Sequence, residues 1–180
     1  MTPVPVVEAP VIETRQLSIQ FGGHIAVNCL DLVVPPHCLK SVIGPNGAGK
    51  TSFLEVLSGR YTPVRGHVFL NGHDVSSRPI HKRAMLGLAR TFQTPVVPYA
   101  QTVYDVLKSA RKAFKPYLSQ YMAEWACDLV GLKVPKEMLA GALDTLDRRK
   151  LLLACLLMRS PCVLLLDEPA SGLINVEIDE

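Results

Sequence analysis

Residues Gly44-Pro45-Asn46-Gly47-Ala48-Gly49-Lys50-Thr51 constrain this chain more than any other stretch, because they fit the pattern G-x-x-x-x-G-K-[ST]. An apolar run, Cys38 to Ile43, precedes them, and a helical run, Thr51 to Leu57, follows and stops at Gly59. A strand, a glycine loop and a helix in that order belong to an α/β fold. The loop has a physical purpose. Glycines let backbone N–H groups converge on phosphate oxygens, Lys50 sets a point charge near the β and γ phosphates, and Thr51 offers a hydroxyl to Mg²⁺. The helix that follows adds the positive end of its dipole. A glycine-rich turn can match the pattern by chance, but the flanking strand and helix argue against that reading here.

At 180 residues and 19.7 kDa the chain has room for one well-buried core, or one domain with a small appendage. A surplus of only three positive charges, 19 basic against 16 acidic, gives no argument for nucleic acid as a partner. Cys29, Cys38, Cys127, Cys155 and Cys162 form no C-x-x-C pair and lie near no histidine cluster, so they are expected to be reduced core thiols. No apolar run is long enough to span a bilayer, and Met1 to Pro10 lacks the pattern of an export signal. A membrane role is therefore expected to come through a partner.

Along the chain, Met1 to Pro10 reads as an extended leader. Val11 to Phe21 and Ile25 to Val34, separated by Gly22 and Gly23, predict a β-hairpin. Cys38 to Ile43 predicts a short apolar strand, Val68 to Leu70 another strand, Pro79 to Leu86 a short helix, and Leu88 to Phe92 a strand leading to Gln93. From Thr102 to Ala142 the β signal vanishes and three helical stretches appear, broken at Pro116 and Pro135. Arg148 to Met158 predicts a helix, and Cys162 to Leu166 a strand buried on both faces. The division expected is a leader over 1–10, a β-subdomain with the phosphate-loop core over 11–100, a helical subdomain over 101–147, and a return to the core over 148–180.

The last strand delivers Asp167-Glu168-Pro169 to its carboxyl end, where ligands sit in open α/β sheets. Asp167 there can hold Mg²⁺ through water, and Glu168 can orient or deprotonate an attacking water. Two carboxylates at a strand end, taken alone, are equally an ordinary solvated turn.

Taken together these residues resemble the ATPases of ABC transporters. Gly44 to Ser52 is similar to their Walker A loop, Val163 to Glu168 to their Walker B strand with its catalytic glutamate, and Gln93 in Ala89-Arg90-Thr91-Phe92-Gln93 to their Q-loop. Phe21 resembles the aromatic residue on which adenine stacks, although a lone Phe at a strand end is more often core. Leu57-Ser58-Gly59, Gly66, Asn71-Gly72 and above all Arg90-Thr91-Phe92-Gln93 resemble the branched-chain amino-acid importers within that family.

The resemblance covers Val11 to Leu173. It implies a P-loop NTPase fold of ABC type with an N-terminal antiparallel β-subdomain and an inserted α-helical subdomain, truncated at the C-terminus. It implies ATP and Mg²⁺ as cofactors. The nucleotide would be held by Phe21, Gly44, Pro45, Asn46, Gly47, Ala48, Gly49, Lys50, Thr51 and Ser52, the metal by Thr51, Gln93 and Asp167, and catalysis would rest on Glu168 and Gln93. It also implies a second ATPase subunit, a membrane permease touched by the helical subdomain, and a peripheral place on the cytoplasmic face of the membrane.

Two departures qualify this. The signature segment, typically L-S-G-G-Q, falls at Leu143-Asp144-Thr145-Leu146-Asp147, with Asp144 at the serine position and Leu146 at a glycine position. Asp144 would bring negative charge toward a partner's nucleotide, a repulsion of about 1 to 4 kcal/mol at ~4 Å. It is also a sound helix cap, with Asp147 in the first turn. Because this segment completes the opposing site, a heterodimer keeps one competent site and a homodimer has two damaged ones.

The second departure is that Ala170 to Ile174 stands at the D-loop and Glu180 ends the chain, ahead of any switch histidine. A fragment cut short and a naturally shortened protein both fit, and impaired hydrolysis with reduced stability is expected of the isolated chain. Two other functions remain: a soluble ABC ATPase outside transport, and a nucleotide-binding module without hydrolysis.

Overall fold

The computed structural model describes residues 9–94 and 96–169. The expected leader over 1–8 and the D-loop residues Ala170 to Ile174 lie outside the described residues. The chain divides into two compact units, residues 1–88 and 89–180.

The first unit is built on a four-stranded antiparallel sheet, β2-β1-β3-β4. β1 (Ile12–Phe21) and β2 (His24–Val34) form the expected hairpin, turning at Gly22-Gly23 so that Phe21 faces His24. The register shifts after Thr14, where Gln16 has a φ of 49° and its N–H donates to Asp31 Oδ1 at 2.6 Å. A bulge leaves a main-chain group without a ladder partner, and Asp31 supplies one. β3 (Arg65–Leu70) pairs with β1, and β4 (His73–Asp74) follows across the Asn71-Gly72 turn. Alternating residues of β1 and β3 bury Ile12, Leu17, Ile19, Val68 and Leu70, and α1 (Lys50–Ser58) contributes Phe53, Val56 and Leu57 to the buried set.

The carboxyl end of α1 is closed twice. Gly59, with a φ of 84°, donates to Val56 O at 3.1 Å, and Arg60 N–H donates to Glu55 O at 2.9 Å. The wholly buried Arg83, from α2 (Ile80–Met85), then donates Nη1 to Val56 O and Leu57 O at 2.7 and 2.8 Å. Its other donors reach Arg78 O at 2.9 Å and Ser76 O at 3.0 Å.

One expected element of this unit is absent. Residues 38–43 are irregular, with Leu39 and Ile43 standing 93% and 92% exposed. An apolar run becomes a strand only where neighbours accept and donate its main-chain hydrogen bonds, and no described strand pairs with this one.

In the second unit, β5 (Leu88–Arg90) and β6 (Val163–Leu165) form a two-stranded sheet. β6 is shorter than expected, and Leu166 is 42% exposed rather than buried on both faces. Of the three helical stretches expected, α3 (Val103–Arg111) and α4 (Gln120–Leu129) form, and the third is a single 3-10 turn at Ala140–Ala142. Thr102 caps α3 by accepting the N–H of Asp105 at 3.1 Å.

The apolar faces of α3 and α4 share one core with α5 (Thr145–Leu157): Val103, Val106, Leu107, Ala123 and Ala126 pack with Leu151, Ala154 and Met158. The helical cluster thus runs on past residue 147. Arg159 ties its ends, donating to Ala110 O, Arg111 O and Phe114 O at 3.1, 3.0 and 3.2 Å while lying 3.7 Å over the Phe114 ring. The expectation of core thiols fails for Cys29, Cys38 and Cys162, which are exposed. Cys127 and Cys155 are partly buried, and burial pushes the Cys155 thiol up to about 12. All five are free.

Candidate functional site

In the first unit the loop Gly44 to Thr51 has the conformation its sequence demands. Gly47 and Gly49 adopt φ of 82° and 85°, in the left-handed region that side chains resist. At Gly49 space forbids a side chain as well, because a Cβ there would overlap the carbonyl oxygen of Ala26 on β2. Gly49 also caps α1 by its backbone, with Phe53 N–H donating to Gly49 O at 2.8 Å. The N-cap Gly49 has no side chain to cap the start of α1.

Lys50 folds back over this loop, its Nζ donating to Gly44 O at 2.7 Å and Pro45 O at 2.9 Å. The ammonium group is thus held against the loop by two of its carbonyls, a positive charge of the kind that a polyphosphate requires. Pro45, Asn46, Ala48, Thr51 and Ser52 lie in the same loop and first helical turn.

Phe21 is at the hairpin end, 42% exposed, and meets Tyr61 edge to face with ring centroids 5.3 Å apart. Ala26, against which Gly49 packs, is two residues beyond Phe21's partner His24, or about 7 Å along the strand. An exposed aromatic surface therefore lies at the end of the hairpin that abuts the phosphate loop. Tyr61 escaped the sequence reading, since a tyrosine shortly after a helix stop carries no pattern.

The second unit brings Gln93, Asp167 and Glu168 together. Gln93 Nε2 donates to Glu168 Oε2 at 2.8 Å. Asp167 is 6% exposed and ion-paired with Arg90, Nη2 to Oδ2 at 3.1 Å. Glu168 holds a φ of 45°, which for a residue with a side chain costs roughly 1–2 kcal/mol. The residues on either side restrain it. Asp167 N–H donates to Thr91 Oγ1 at 3.2 Å, and Arg149 of α5 donates Nη1 to Pro169 O at 2.8 Å and Nη2 to Gln93 O at 3.4 Å.

Arg90, Thr91 and Arg149 were not among the expected site residues. Arg90 and Thr91 stand inside the Q-loop motif, so the signal was present without a role attached. Lys50 and the Asp167-Glu168 pair belong to different units.

Mg²⁺ takes hard oxygen donors and keeps several waters, so few protein ligands suffice. The hydroxyl of Thr51, the carboxamide of Gln93 and the carboxylate of Asp167 are donors of this kind, and in the second unit Gln93 and Asp167 come from adjoining segments. Among the described residues no cluster of three or more His, Cys, Asp or Glu side chains is built for a metal.

Asp144 caps α5 as expected, accepting the N–H of Asp147 at 2.7 Å. The Asp147 amide at the start of α5 is thus taken by a carboxylate of the same chain.

The family described as ABC transporter matches residues 27–171. The chain is 34% identical to BraF, a high-affinity branched-chain amino acid transport ATP-binding protein of Pseudomonas aeruginosa, over 95% of this chain and 74% of that protein. It is 32% identical to LivG, the protein so described in Escherichia coli K12, with the same coverage. Among solved structures, the ADP conformation of an ATP-binding cassette of an ABC transporter superposes with a TM-score of 0.82 at 22% identity, covering 94% of this chain and 73% of the other. No helix among the described residues is long and apolar enough to cross a membrane.

Proposed function

This chain belongs to the ABC transporter family of ATP-binding subunits, and from that premise we propose that it binds and hydrolyses MgATP to drive uptake of branched-chain amino acids, or a related small solute, through a partner permease. The observation that carries the nucleotide half of this reading is the Gly44 to Thr51 loop, with Lys50 folded over its carbonyls. The likeness to BraF and LivG supports the transport half.

The residues divide the work. Amides of the phosphate loop and Lys50 hold the β and γ phosphates, Thr51 and Ser52 begin the helix beneath them, and Phe21 stacks on the base. Thr51, Gln93 and Asp167 would hold Mg²⁺, which when bound offsets the charge on the phosphate oxygens. Glu168 accepts the proton of the attacking water. Gln93, bonded to Glu168 Oε2, fixes the orientation of that carboxylate.

The subunit works at the cytoplasmic face of the membrane, held there by its permease, with the helical segment 101–147 as the surface of contact. Its second cassette is a different chain. Asp144 closes the start of α5, so this chain lends a poor signature to its partner's site while its own site draws on the partner's intact one. The same observation favours, as a second reading, a nucleotide-binding module without turnover.

One comparison separates the two. MgATP affinity and turnover are measured for the chain, Lys50→Ala and Glu168→Gln, alone and with a co-expressed cassette and permease. Binding that depends on Lys50 together with turnover that depends on Glu168 supports the ATPase. Binding with no Glu168-dependent turnover in any assembly leaves the module, and binding indifferent to Lys50 sinks both.

A further inference from the structure

Asp167 ends β6 almost out of reach of water, and a carboxylate buried to that degree is costly unless a partner meets it. Arg90, at the end of β5, does so, and Thr91 beside it holds the Asp167 main chain. Arg90, its side chain 5% exposed, sets Nη2 3.1 Å from Asp167 Oδ2. Thr91 accepts the Asp167 N–H on its hydroxyl at 3.2 Å, and Thr91 N–H donates to Leu165 O at 3.0 Å, tying the ends of the two strands. The Arg90 guanidinium also lies 5.2 Å from the centre of the Phe92 ring, which restricts its position further. The carboxylate is thus fixed twice, at a side-chain oxygen by Arg90 and through the main chain by Thr91.

We propose that Arg90, assisted by Thr91, is a positioning residue that holds the Asp167 carboxylate in place for the divalent cation accompanying the nucleotide. The inference rests on the proposed role of Asp167 as a Mg²⁺ ligand. It gives a physical reason for the order Arg-Thr-Phe-Gln: the first two residues address Asp167 and the fourth addresses Glu168. Groups that orient a metal ligand without touching the metal typically govern roughly 10–100-fold of metal affinity. A buried ion pair with a purely structural role would alter stability and leave the metal dependence of the folded protein unchanged.

The test is binding of a fluorescent ATP analogue to the 180-residue chain, titrated with Mg²⁺ and repeated in EDTA. Arg90→Met is expected to raise the half-saturating Mg²⁺ concentration roughly 10–100-fold, with Arg90→Lys and Thr91→Val shifting it less. Affinity in EDTA is expected to stay within about twofold in all three, since it depends on the phosphate loop. A folded Arg90→Met with unaltered Mg²⁺ dependence overturns the proposal. Should that variant not fold, Arg90→Lys and Thr91→Val decide the matter, and unaltered dependence in both overturns it equally. Asp167→Asn separates the two levels of inference. If it shifts the Mg²⁺ dependence while the Arg90 and Thr91 variants do not, only the role of Arg90 fails; if it shifts nothing, the reading of Asp167 as a metal ligand fails too.

Discussion

Gln93 and Glu168, 75 positions apart in sequence, are joined by a 2.8 Å hydrogen bond from the Gln93 amide to Glu168 Oε2. The bond closes a small frame, because Arg149 donates to the carbonyls of Gln93 and of Pro169, next to Glu168. A carboxylate held in this way, on a residue with a φ of 45°, is oriented more than a surface glutamate would be. Removing the base itself, as Glu168→Gln, is expected to lower turnover by about 10²–10⁴-fold. Gln93→Ala frees the carboxylate without removing it and also removes a proposed Mg²⁺ donor, so it is expected to cost about tenfold in kcat and to raise KM for MgATP as well. Steady-state ATPase assays of the assembled transporter check both, and a Gln93→Ala effect confined to KM would contradict the orienting role.

Arg83 ties the first unit together from inside. Its buried guanidinium makes four hydrogen bonds to main-chain carbonyls, two of them at the end of the helix that begins with Lys50. Arg83→Ala leaves those carbonyls buried without donors and is expected to cost about 3 kcal/mol or more. Arg83→Lys keeps the charge but not the fork, so an intermediate loss is expected. Urea denaturation midpoints measure both.

Much of this was legible in the sequence, and the illegible parts share a cause. The hairpin, α1 with its Gly59 stop, the helical region and the phosphate loop follow from local pattern: alternation, glycine spacing and capping. Residues 38–43 did not follow, because an apolar run says that a strand is possible and not that a neighbour pairs with it. The third helical stretch shrank to a 3-10 turn at Ala140–Ala142, where alanine and glycine offer little apolar surface to bury. In the site, motif residues Gln93 and Glu168 were foreseen, but the arginines that hold them in place were not. Arg149 and Arg159, and Arg83 at Val56 and Leu57, act through main-chain carbonyls remote in sequence, and a carbonyl has no sequence identity.

Asp74 gives the first unit a measurable response to acid. It accepts from Ser76 N–H and Oγ at 2.8 and 2.6 Å and contacts His67 Nδ1 at 2.8 Å. The Ser76 hydrogen bonds first, and His67 after them, pull its carboxyl down to about 2, below the ordinary carboxylate range. The folded state therefore favours the ionised form. The resulting stability is fully present above the unfolded value near 4 and is lost as pH falls toward 2. Because the side chain is 46% exposed, water screens the effect, and a contribution of less than about 1 kcal/mol is expected. Asp74→Asn should flatten this part of the stability profile between pH 4 and 2, read from urea midpoints at each pH. An identical acid limb in the variant would assign the loss to other carboxylates.

Asp144 separates the demands of folding from those of function. Its carboxylate accepts the Asp147 N–H at 2.7 Å and so serves α5 well as a cap. Serine caps a helix nearly as well, so Asp144→Ser is expected to keep stability within about 0.5 kcal/mol, whereas Asp144→Ala loses about 1 kcal/mol. The functional effect should run differently. In a heterodimer the serine removes a negative charge from the partner's nucleotide and restores a hydroxyl donor, a change worth about 1–4 kcal/mol at ~4 Å. Turnover at the partner's site should therefore rise about tenfold with Asp144→Ser, provided that Leu146 is also returned to glycine so that the backbone can approach. The measurement is ATPase activity of a heterodimer whose other site is silenced by Glu168→Gln in this chain, so that only the site completed by residue 144 is counted. Unaltered stability with no change in that activity would mean that the start of α5 does not face a nucleotide, and the asymmetric pairing proposed for this subunit would have to be abandoned.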